Sequence, residues 1–409
     1  MMRPLLVLVT LSVTFPLGSL AVPGGRLPGQ YLSPPDTAVL FPFIDLAGDT
    51  ARQVVVDRDP AHYLGHPSTV LLEDGRTLLC VYPNGHGKGA LILKHSTDGG
   101  LTWSARLPVP ENWATSLETP SIHRVVDAAG KKRLIVWSGL YPARLSLSDD
   151  DGGTWTPLTP AGDWGGIVVM GSLAAVRGAP GHYLAWFNDD GRFIGPRGRA
   201  TQSATFQIYQ TASADGGLTW SAPHAIVAGS DLLLCEPGFV RSPNGHQMAL
   251  LLREETRKHF SQVIFSNDEG HTWTAPRPLG LGLIGDRHIA AYAPDGRLVV
   301  LFRDTNRASH TNGDWCAWVG TYDDIAQGKP GQYRVRLAHN TWGWDCGYSG
   351  LHCLPDGTFV ATSYGHWTEA EEPYVLSVRF KLSELDGRLG STERPAPSAQ
   401  MKQAGAIRQ

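Results

Sequence analysis

Apolar residues recur along the chain as pairs of short stretches, each pair separated by a polar turn that contains glycine. Such pairs are typical of β-hairpins, because glycine adopts turn conformations that other residues disfavour. The six pairs occupy residues 70–81, 122–137, 172–187, 239–252, 289–302 and 351–363. The pattern therefore predicts six hairpins, and no stretch shows the sustained periodicity of a long amphipathic helix.

An octapeptide with the pattern Ser-x-Asp-x-Gly-x-Thr-Trp follows the first four hairpins. Its Asp and Gly suit a tight turn, and its Trp can pack on the apolar face of a strand pair. The copies occupy residues 96–103, 148–155, 213–220 and 266–273, at intervals of about 50 to 65 residues. A period of this size indicates propeller blades or solenoid units. We expect the four Asp side chains to be structural rather than catalytic.

Hairpins completed by outer strands predict an all-β fold, a six-bladed β-propeller with four-stranded antiparallel blades. The propeller is expected to span residues 51–385, after a lead-in at 22–50 and before a polar C-terminal tail at 386–409. Residues 54–56 are typical of an early strand and residues 374–382 of a late strand. The two ends of the chain are therefore expected to close the ring within one blade.

Composition agrees with short strands and tight turns, since the 409 residues include 47 Gly, 29 Pro and 13 Trp. Charged residues make up only 18%, and the formal net charge is −3 without a long basic run. Nucleic-acid binding is not expected, because phosphate recognition needs a concentrated Lys/Arg face. A monomer is expected.

Residues 1–21 are typical of a secretory signal peptide. Arg3 precedes an apolar stretch at residues 5–13, and Ser19 and Ala21 are small residues suited to cleavage. The alternative is a membrane anchor, but the stretch is short for a span of about 20 residues. No later segment resembles a transmembrane helix, so the mature protein is expected to be secreted or periplasmic and to lack a membrane span.

Five cysteines follow the predicted signal peptide. Export permits disulfides, and Cys316 with Cys346 is the predicted pair. The odd count leaves at least one thiol free or bonded to another molecule. No Cys/His spacing indicates zinc, and neither a metal nor a cofactor is predicted.

Charged and aromatic residues occupy equivalent ends of the hairpin strands, which meet at the mouth of a propeller's channel. Crowding such groups is costly unless they pair or bind something. We therefore predict a polar pocket for an anionic or polyhydroxylated ligand, with a salt bridge to a neighbouring blade as the alternative for each Arg. The residues concerned are His66, Glu118, Met170, Glu236, Arg287, His288 and Tyr348 before the first strands, and Tyr82, Ser138, Asn188, Arg253, Arg303 and Tyr364 after the second strands.

Two of these segments and the four octapeptides resemble the sialidase (neuraminidase) superfamily, in which such octapeptides are called Asp boxes. Cys235-Glu236-Pro237, ending in Leu252-Arg253, resembles the segment that carries a glutamate and an arginine of the carboxylate-binding triad. Gly347-Tyr348-Ser349-Gly350-Leu351 resembles the segment that carries the nucleophilic tyrosine. The resemblance covers about residues 60–380.

The resemblance implies that Tyr348 attacks the anomeric carbon of a sugar while Glu236 takes its proton. A free tyrosine has a pKa of about 10, so it needs an adjacent carboxylate to become a nucleophile. Sialidases are the tyrosine exception among retaining glycosidases. Arg253, with Arg287 or Arg303, would bind a substrate carboxylate through charge-assisted hydrogen bonds.

Two departures from the family's pattern affect the rest of the predicted site. Gly65-His66-Pro67 stands where the family has Arg-Ile-Pro, so one arginine of the triad is absent. The interval expected to hold the acid/base aspartate, residues 75–97, contains neither Asp nor Glu. His86, which can act as an acid near neutral pH, and Glu118 are the candidate replacements. His66 and His288 are assigned to substrate binding with the arginines.

The predicted function is that of a sialidase-like exo-glycoside hydrolase that releases a terminal acidic sugar, sialic acid or a related one, from glycoconjugates. Hydrolysis could use a shifted acid or an inverting route. A glycan-binding propeller without catalysis is one alternative, favoured by the missing aspartate and disfavoured by the Tyr–Glu pair. A polysaccharide lyase acting on uronate-containing glycans, with Tyr or His as the base, is the other.

Overall fold

The computed structural model describes residues 42–194, 206–227 and 231–389. The predicted signal peptide, most of the predicted lead-in and most of the predicted tail lie outside these ranges. Within them, 24 strands form six sheets, with two short α-helices and three 3-10 turns. None of the described helices has the length and apolar character needed to cross a lipid bilayer.

The chain enters through two short strands and then forms blades 1 to 3. The entry strands are β1 (Phe43–Asp45) and β2 (Gln53–Asp57). Blade 1 contains β3 (Ser68–Leu71), β4 (Leu78–Pro83) and β5 (Leu91–Ser96). Blade 2 contains β6 (Ser121–Val126), β7 (Lys132–Ser138), β8 (Arg144–Ser148) and β9 (Thr159–Pro160). Blade 3 contains β10 (Ile167–Ala175), β11 (Tyr183–Asp189), β12 (Gln207–Ser213) and β13 (His224–Ala225).

Blades 4 to 6 follow, with a helix after blade 6. Blade 4 contains β14 (Leu234–Arg241), β15 (Met248–Glu254), β16 (Gln262–Ser266) and β17 (Arg277–Pro278). Blade 5 contains β18 (Gly285–Tyr292), β19 (Leu298–Asp304), β20 (Trp315–Gly320) and, after helix α1 (Tyr322–Gln327), β21 (Tyr333–Ala338). Blade 6 contains β22 (Cys346–Cys353), β23 (Phe359–Gly365) and β24 (Tyr374–Phe380), and helix α2 is Leu382–Leu389.

The first strand of each predicted hairpin is the innermost strand of its blade. Innermost strands of successive blades contact one another, and β22 of the last blade contacts β3 of the first. The ring is closed by β2, which pairs antiparallel with β24 and forms the outer strand of blade 6. The predicted six-bladed all-β propeller and its closure within one blade are therefore confirmed.

Both boundaries of the propeller shift from the predicted residues 51 and 385. Strand β1 precedes residue 51, yet it pairs in parallel with β21 and adds a fifth strand to blade 5. Helix α2 continues past residue 385 and buries Leu382 and Leu385 in the core shared by blades 5 and 6. These apolar contacts explain why the flanking segments join the fold. The described sheet of blade 1 has three strands.

The four octapeptides form matching turns at the ends of β5, β8, β12 and β16. In the first copy, Ser96 Oγ donates to Asp98 Oδ1 (2.8 Å) and accepts from Gly100 N (2.8 Å). Thr102 donates to Asp98 through both its backbone N (2.9 Å) and its hydroxyl (2.6 Å). Burial alone would raise the pKa of Asp98, but the hydrogen bonds from Thr102 and Ser96 lower it to about 2. These contacts are internal to the turn, as expected for a structural carboxylate.

The predicted Cys316–Cys346 disulfide is wrong, because all five cysteines are free. Cys346 Sγ instead donates to the carbonyl oxygen of Gly313 (3.2 Å). Cys316 is buried in β20 among apolar side chains of the core. Burial raises the pKa of Cys316 to about 12, which keeps it a neutral thiol.

Candidate active site

A cavity of about 580 Å³ lies where loops and strand ends of blades 1 to 4 meet strand β22 of blade 6. None of the Asp-box aspartates lines it. Of the predicted site residues, it brings together His66, His86, Glu118, Asn188, Glu236, Arg253 and Tyr348. Within the described ranges, no group of three His, Cys, Asp or Glu side chains could hold a metal ion.

The inner strands of blades 4, 5 and 6 carry a β-bulge at the end that contributes to the site. The bulges fall between Cys235 and Gly238, between Asp286 and Ile289, and between Cys346 and Ser349. Glu236 and Arg287 have φ angles of 52° and 56°, which L-residues rarely adopt. Such backbone costs about 1–3 kcal/mol per residue and persists where the surrounding structure holds it. A bulge changes the direction of nearby side chains. Glu236 and Arg287 therefore depart from the regular alternation of side chains between the two faces of the sheet.

Tyr348, Glu236 and Arg253 form one hydrogen-bonded group. The Tyr348 hydroxyl donates to Glu236 Oε1, and Arg253 Nη1 donates to the same oxygen (2.6 Å). Burial, followed by the charge of Glu236, raises the pKa of Tyr348 well above its ordinary value. The phenol is therefore neutral at rest and can pass its proton to Glu236 as it forms a new bond. Glu236 Oε2 is buried without a hydrogen-bond partner among the described residues.

Arg287 packs against the ring of Tyr348, with its guanidinium carbon 5.4 Å from the ring centroid. It is 6% exposed, and its Nε and Nη1 have no partner in the described part of the chain. A cation at this position stabilises negative charge that develops on the phenol. Arg287 does not line the cavity, and neither does His288, whose Nε2 lies 2.9 Å from the carbonyl oxygen of Leu283.

Asp286 is a buried carboxylate that the sequence reasoning missed. Its Oδ2 accepts hydrogen bonds from Arg303 Nη2 (2.6 Å) and Arg257 Nη2 (2.8 Å), and its Oδ1 lies 3.4 Å from Arg253 Nε. Burial alone would raise the pKa of Asp286, but Arg303, Arg253 and Arg257 hold it well below its ordinary value. Arg303 thus makes a salt bridge within blade 5, whereas Arg253 of blade 4 contacts Asp286 across blades, which is the alternative considered for each arginine. Arg303 does not line the cavity.

His66 occupies the position of the missing arginine as a neutral ring. Gly87 N donates to His66 Nδ1 (3.2 Å), which assigns the ring proton to Nε2, 3.0 Å from the Tyr364 hydroxyl. Burial, followed by the neighbouring His86, lowers the pKa of His66 well below its ordinary value. The ring centroids of His66 and Tyr348 are 4.6 Å apart, so the histidine packs beside the predicted nucleophile.

Asp345 is the second carboxylate that the sequence reasoning missed. Its Oδ1 accepts from the hydroxyls of Tyr63 and Tyr364 at 2.9 Å each and lies 3.6 Å from His86 Nδ1. The neighbouring Asp345 carboxylate raises the pKa of His86. Asp286 and Asp345 both lie at the start of an inner strand, close to a predicted site residue, and this position is the signal that could have revealed them.

Glu118 precedes β6 and lines the cavity as a partly buried carboxyl group. Its Oε1 accepts from Thr119 N (2.8 Å). Burial raises the pKa of Glu118, and the charge of Glu236 adds to the rise against the opposing bonds from Thr119. A carboxyl group in this state holds its proton to higher pH than an exposed glutamate, which suits a proton donor.

The BNR repeat-like domain family model matches residues 29–226 and 135–338, which together cover more than half of the chain. The chain belongs to the BNR repeat-like family. Membership of the sialidase-like propeller superfamily, inferred from the Asp boxes and the Glu236 and Tyr348 segments, is thereby confirmed. No curated protein sequence matches the chain.

Solved structures with this BNR repeat-like fold include sialidases. A protein of unknown function from Dyadobacter fermentans is 15% identical, covering 80% of this chain and 97% of its own, with a TM-score of 0.62. The NanB sialidase of Streptococcus pneumoniae is 11% identical, covering 81% of this chain and 71% of its own, with a TM-score of 0.55. A leech intramolecular trans-sialidase is 15% identical, covering 80% and 69% respectively, with a TM-score of 0.56. At these identities the likeness shows a shared fold.

Proposed function

We propose that this BNR repeat-like propeller is an exo-glycoside hydrolase that releases a terminal sugar from glycoconjugates, with Tyr348 as the nucleophile. The observation that carries the proposal is the hydrogen bond from the Tyr348 hydroxyl to Glu236 Oε1 beside the cavity. A binding module has no need of a buried phenol paired with a carboxylate. Sialidases among the structural neighbours provide supporting analogy at the level of the fold.

In the first step, Tyr348 Oη forms a bond to the anomeric carbon as the bond to the leaving oxygen breaks. Glu236 accepts the phenol proton, and Arg253 holds the receiving carboxylate in place through its 2.6 Å contact. Glu118 donates its proton to the leaving oxygen. Arg287, which packs on the phenol ring, favours the negative charge that develops on it.

In the second step, water attacks the anomeric carbon of the glycosyl-tyrosine. Glu118, now ionised, takes a proton from this water, and Glu236 returns the first proton to Tyr348 as the phenol leaves. Each group ends in its starting state, as a retaining mechanism requires. The reaction does not depend on the charge of the sugar.

The test is a screen of the purified protein against 4-methylumbelliferyl glycosides of both acidic and neutral sugars, repeated with Tyr348→Phe. Loss of the nucleophile is expected to lower kcat by about 10³-fold or more while ligand affinity stays similar. A fluorinated aryl glycoside, whose intermediate is slow to hydrolyse, should label Tyr348 in a peptide mass spectrum. Tyr364→Phe is the control, because Tyr364 is buried nearby but donates to Asp345.

Three results would contradict the proposal. An unsaturated product that absorbs in the ultraviolet would indicate a lyase. Equal turnover by Tyr348→Phe and the unmodified protein would remove Tyr348 from the mechanism. Glycan binding without turnover of any glycoside would indicate a binding propeller.

A further inference from the structure

Two of the three arginines expected to bind a substrate carboxylate, Arg253 and Arg303, already contact a carboxylate of the chain. Arg303 Nη2 lies 2.6 Å from Asp286 Oδ2, and Arg253 Nε lies 3.4 Å from Asp286 Oδ1. Asp286 is 1% exposed. A substrate carboxylate could take over these arginines only by leaving the buried Asp286 with Arg257 as its one remaining cationic partner among the described residues. Separating buried ion pairs in this way is strongly unfavourable.

The cations that line the cavity are paired or exposed. Their ion pairs are Arg253 with Glu255 (2.6 Å), Arg192 with Asp190 (2.7 Å) and His86 with Asp345 (3.6 Å). Lys88 is exposed, where solvent and salt screen its charge. Arg287 is buried and unpaired among the described residues, but it packs on Tyr348 and does not line the cavity. Within the described part of the chain, the cavity therefore presents no buried, unpaired cation.

Hydrogen-bond acceptors line the cavity instead. The carboxylates of Glu236 and Glu255 and the carboxyl group of Glu118 are among its lining groups, and Glu236 Oε2 is buried without a partner in the described residues. Carboxylate oxygens accept hydrogen bonds from sugar hydroxyls, whereas they repel a second carboxylate. His66, at the position of the missing arginine, is neutral and adds no positive charge.

We infer that the cavity takes a terminal sugar without a carboxylate, such as a neutral hexose, and that Asp286 and Glu255 supply the counter-charges that an acidic sugar would otherwise bring. The inference rests on the proposed function only for the location of the site. Binding can test it without turnover.

The experiment measures calorimetric binding to Tyr348→Phe of sugar pairs that differ only at the carboxylate. The pairs are methyl glucoside with methyl glucuronide, methyl galactoside with methyl galacturonide, and the carboxyl-reduced methyl glycoside of N-acetylneuraminic acid with the parent acid. Each carboxylate-free member is expected to bind at least about tenfold more tightly. Glu255→Gln, which releases Arg253 Nη2 from its ion pair, is expected to lower the ratio of the two affinities, neutral over acidic, several-fold. Glu369→Gln, an exposed residue that does not line the cavity, should leave the ratio unchanged.

Tighter binding of the acidic members, or binding of neither member of any pair, would overturn the inference. An unchanged ratio in Glu255→Gln would overturn the counter-charge role given to Glu255. Selective binding of neutral sugars without hydrolysis of any neutral glycoside would support the inference while rejecting the hydrolase proposal, so the two failures are distinguishable.

Discussion

Burial raises the pKa of two acids in the site, the Glu118 carboxyl group and the Tyr348 phenol. Burial serves a different purpose in each of these residues. Glu118 keeps a proton that it can donate to a leaving group, whereas Tyr348 stays neutral until Glu236 takes its proton. Glu118 therefore serves as the acid and Tyr348 as the nucleophile, and each role follows from the local environment of the side chain.

The first prediction concerns the pH dependence of the acid. The kcat/KM should fall as pH rises through the pKa of Glu118, because the deprotonated carboxylate cannot donate, and the raised pKa places this fall above that of an exposed glutamate. Glu118→Gln should lower kcat by about 10²–10⁴-fold for a poor leaving group and remove the basic limb of the profile. Kinetics across pH with good and poor leaving groups measure both effects. Loss of that limb in His86→Gln, with Glu118→Gln unaffected, would assign the acid to His86.

The second prediction concerns the charge behind the nucleophile. Arg287→Met keeps an unbranched apolar stem against the Tyr348 ring but removes the cation, so kcat should fall about tenfold with little change in KM. Arg277→Met is a matched control, since Arg277 packs over Phe265 with its guanidinium carbon 4.8 Å from the centroid, away from the cavity. Equal kcat in the two variants, per folded molecule, would exclude a role for the Arg287 charge.

The sequence was sufficient to predict contacts between residues where the motif is local. Glu236, Arg253 and Tyr348 were found because each stands in a recognisable segment, and the structure brings them into hydrogen-bonding contact. Asp286 and Asp345 were missed because their partners come from distant strands and loops, such as Arg253 and Tyr63. Because these counter-charges were missed, Arg253 and Arg303 remained candidates to bind the carboxylate of the acidic sugar that the resemblance implies.

The Asp boxes allow a prediction that distinguishes structural aspartates from catalytic ones. Asp98→Ala removes the acceptor of several internal hydrogen bonds and should cost about 1–3 kcal/mol of unfolding free energy. Thr102→Val removes one of these bonds and should cost less. Denaturant unfolding measures both, and kcat per folded molecule should be unchanged because neither residue lines the cavity. A large fall in kcat in a folded Asp98 variant would contradict the structural role.

The hairpins were predictable because the apolar pattern and the glycine turn of each hairpin both lie within one short stretch of sequence. The three described strands of blade 1 and the parallel pairing of β1 with β21 were not, since both depend on contacts between segments far apart in the chain. Strand β1 has only three residues, too few for a periodic signal. Residues 43–45 form a strand because they pair with β21 at the edge of blade 5.

At the scale of the whole molecule, β2 joins the last blade to the first. It pairs with β24 of blade 6, and Asp57 at its end accepts hydrogen bonds from Tyr82 Oη (2.5 Å) and Arg106 Nε (2.7 Å) beside blade 1. Val56 of β2 is buried in a cluster that also contains Tyr348 and Tyr364. Ring closure and the predicted nucleophile thus share one apolar cluster.

Val56→Ala is therefore expected to affect both closure and site. The variant leaves a cavity in the shared cluster and should lower the free energy of unfolding by about 1–3 kcal/mol. Val55→Ala, the neighbouring position at 46% exposure, should change it by less than about 0.5 kcal/mol. If the cluster also positions the nucleophile, Val56→Ala should reduce kcat in protein that is still folded, measured well below the unfolding transition, whereas Val55→Ala should not. Equal destabilisation by the two substitutions would show that β2 does not depend on this buried face to close the ring.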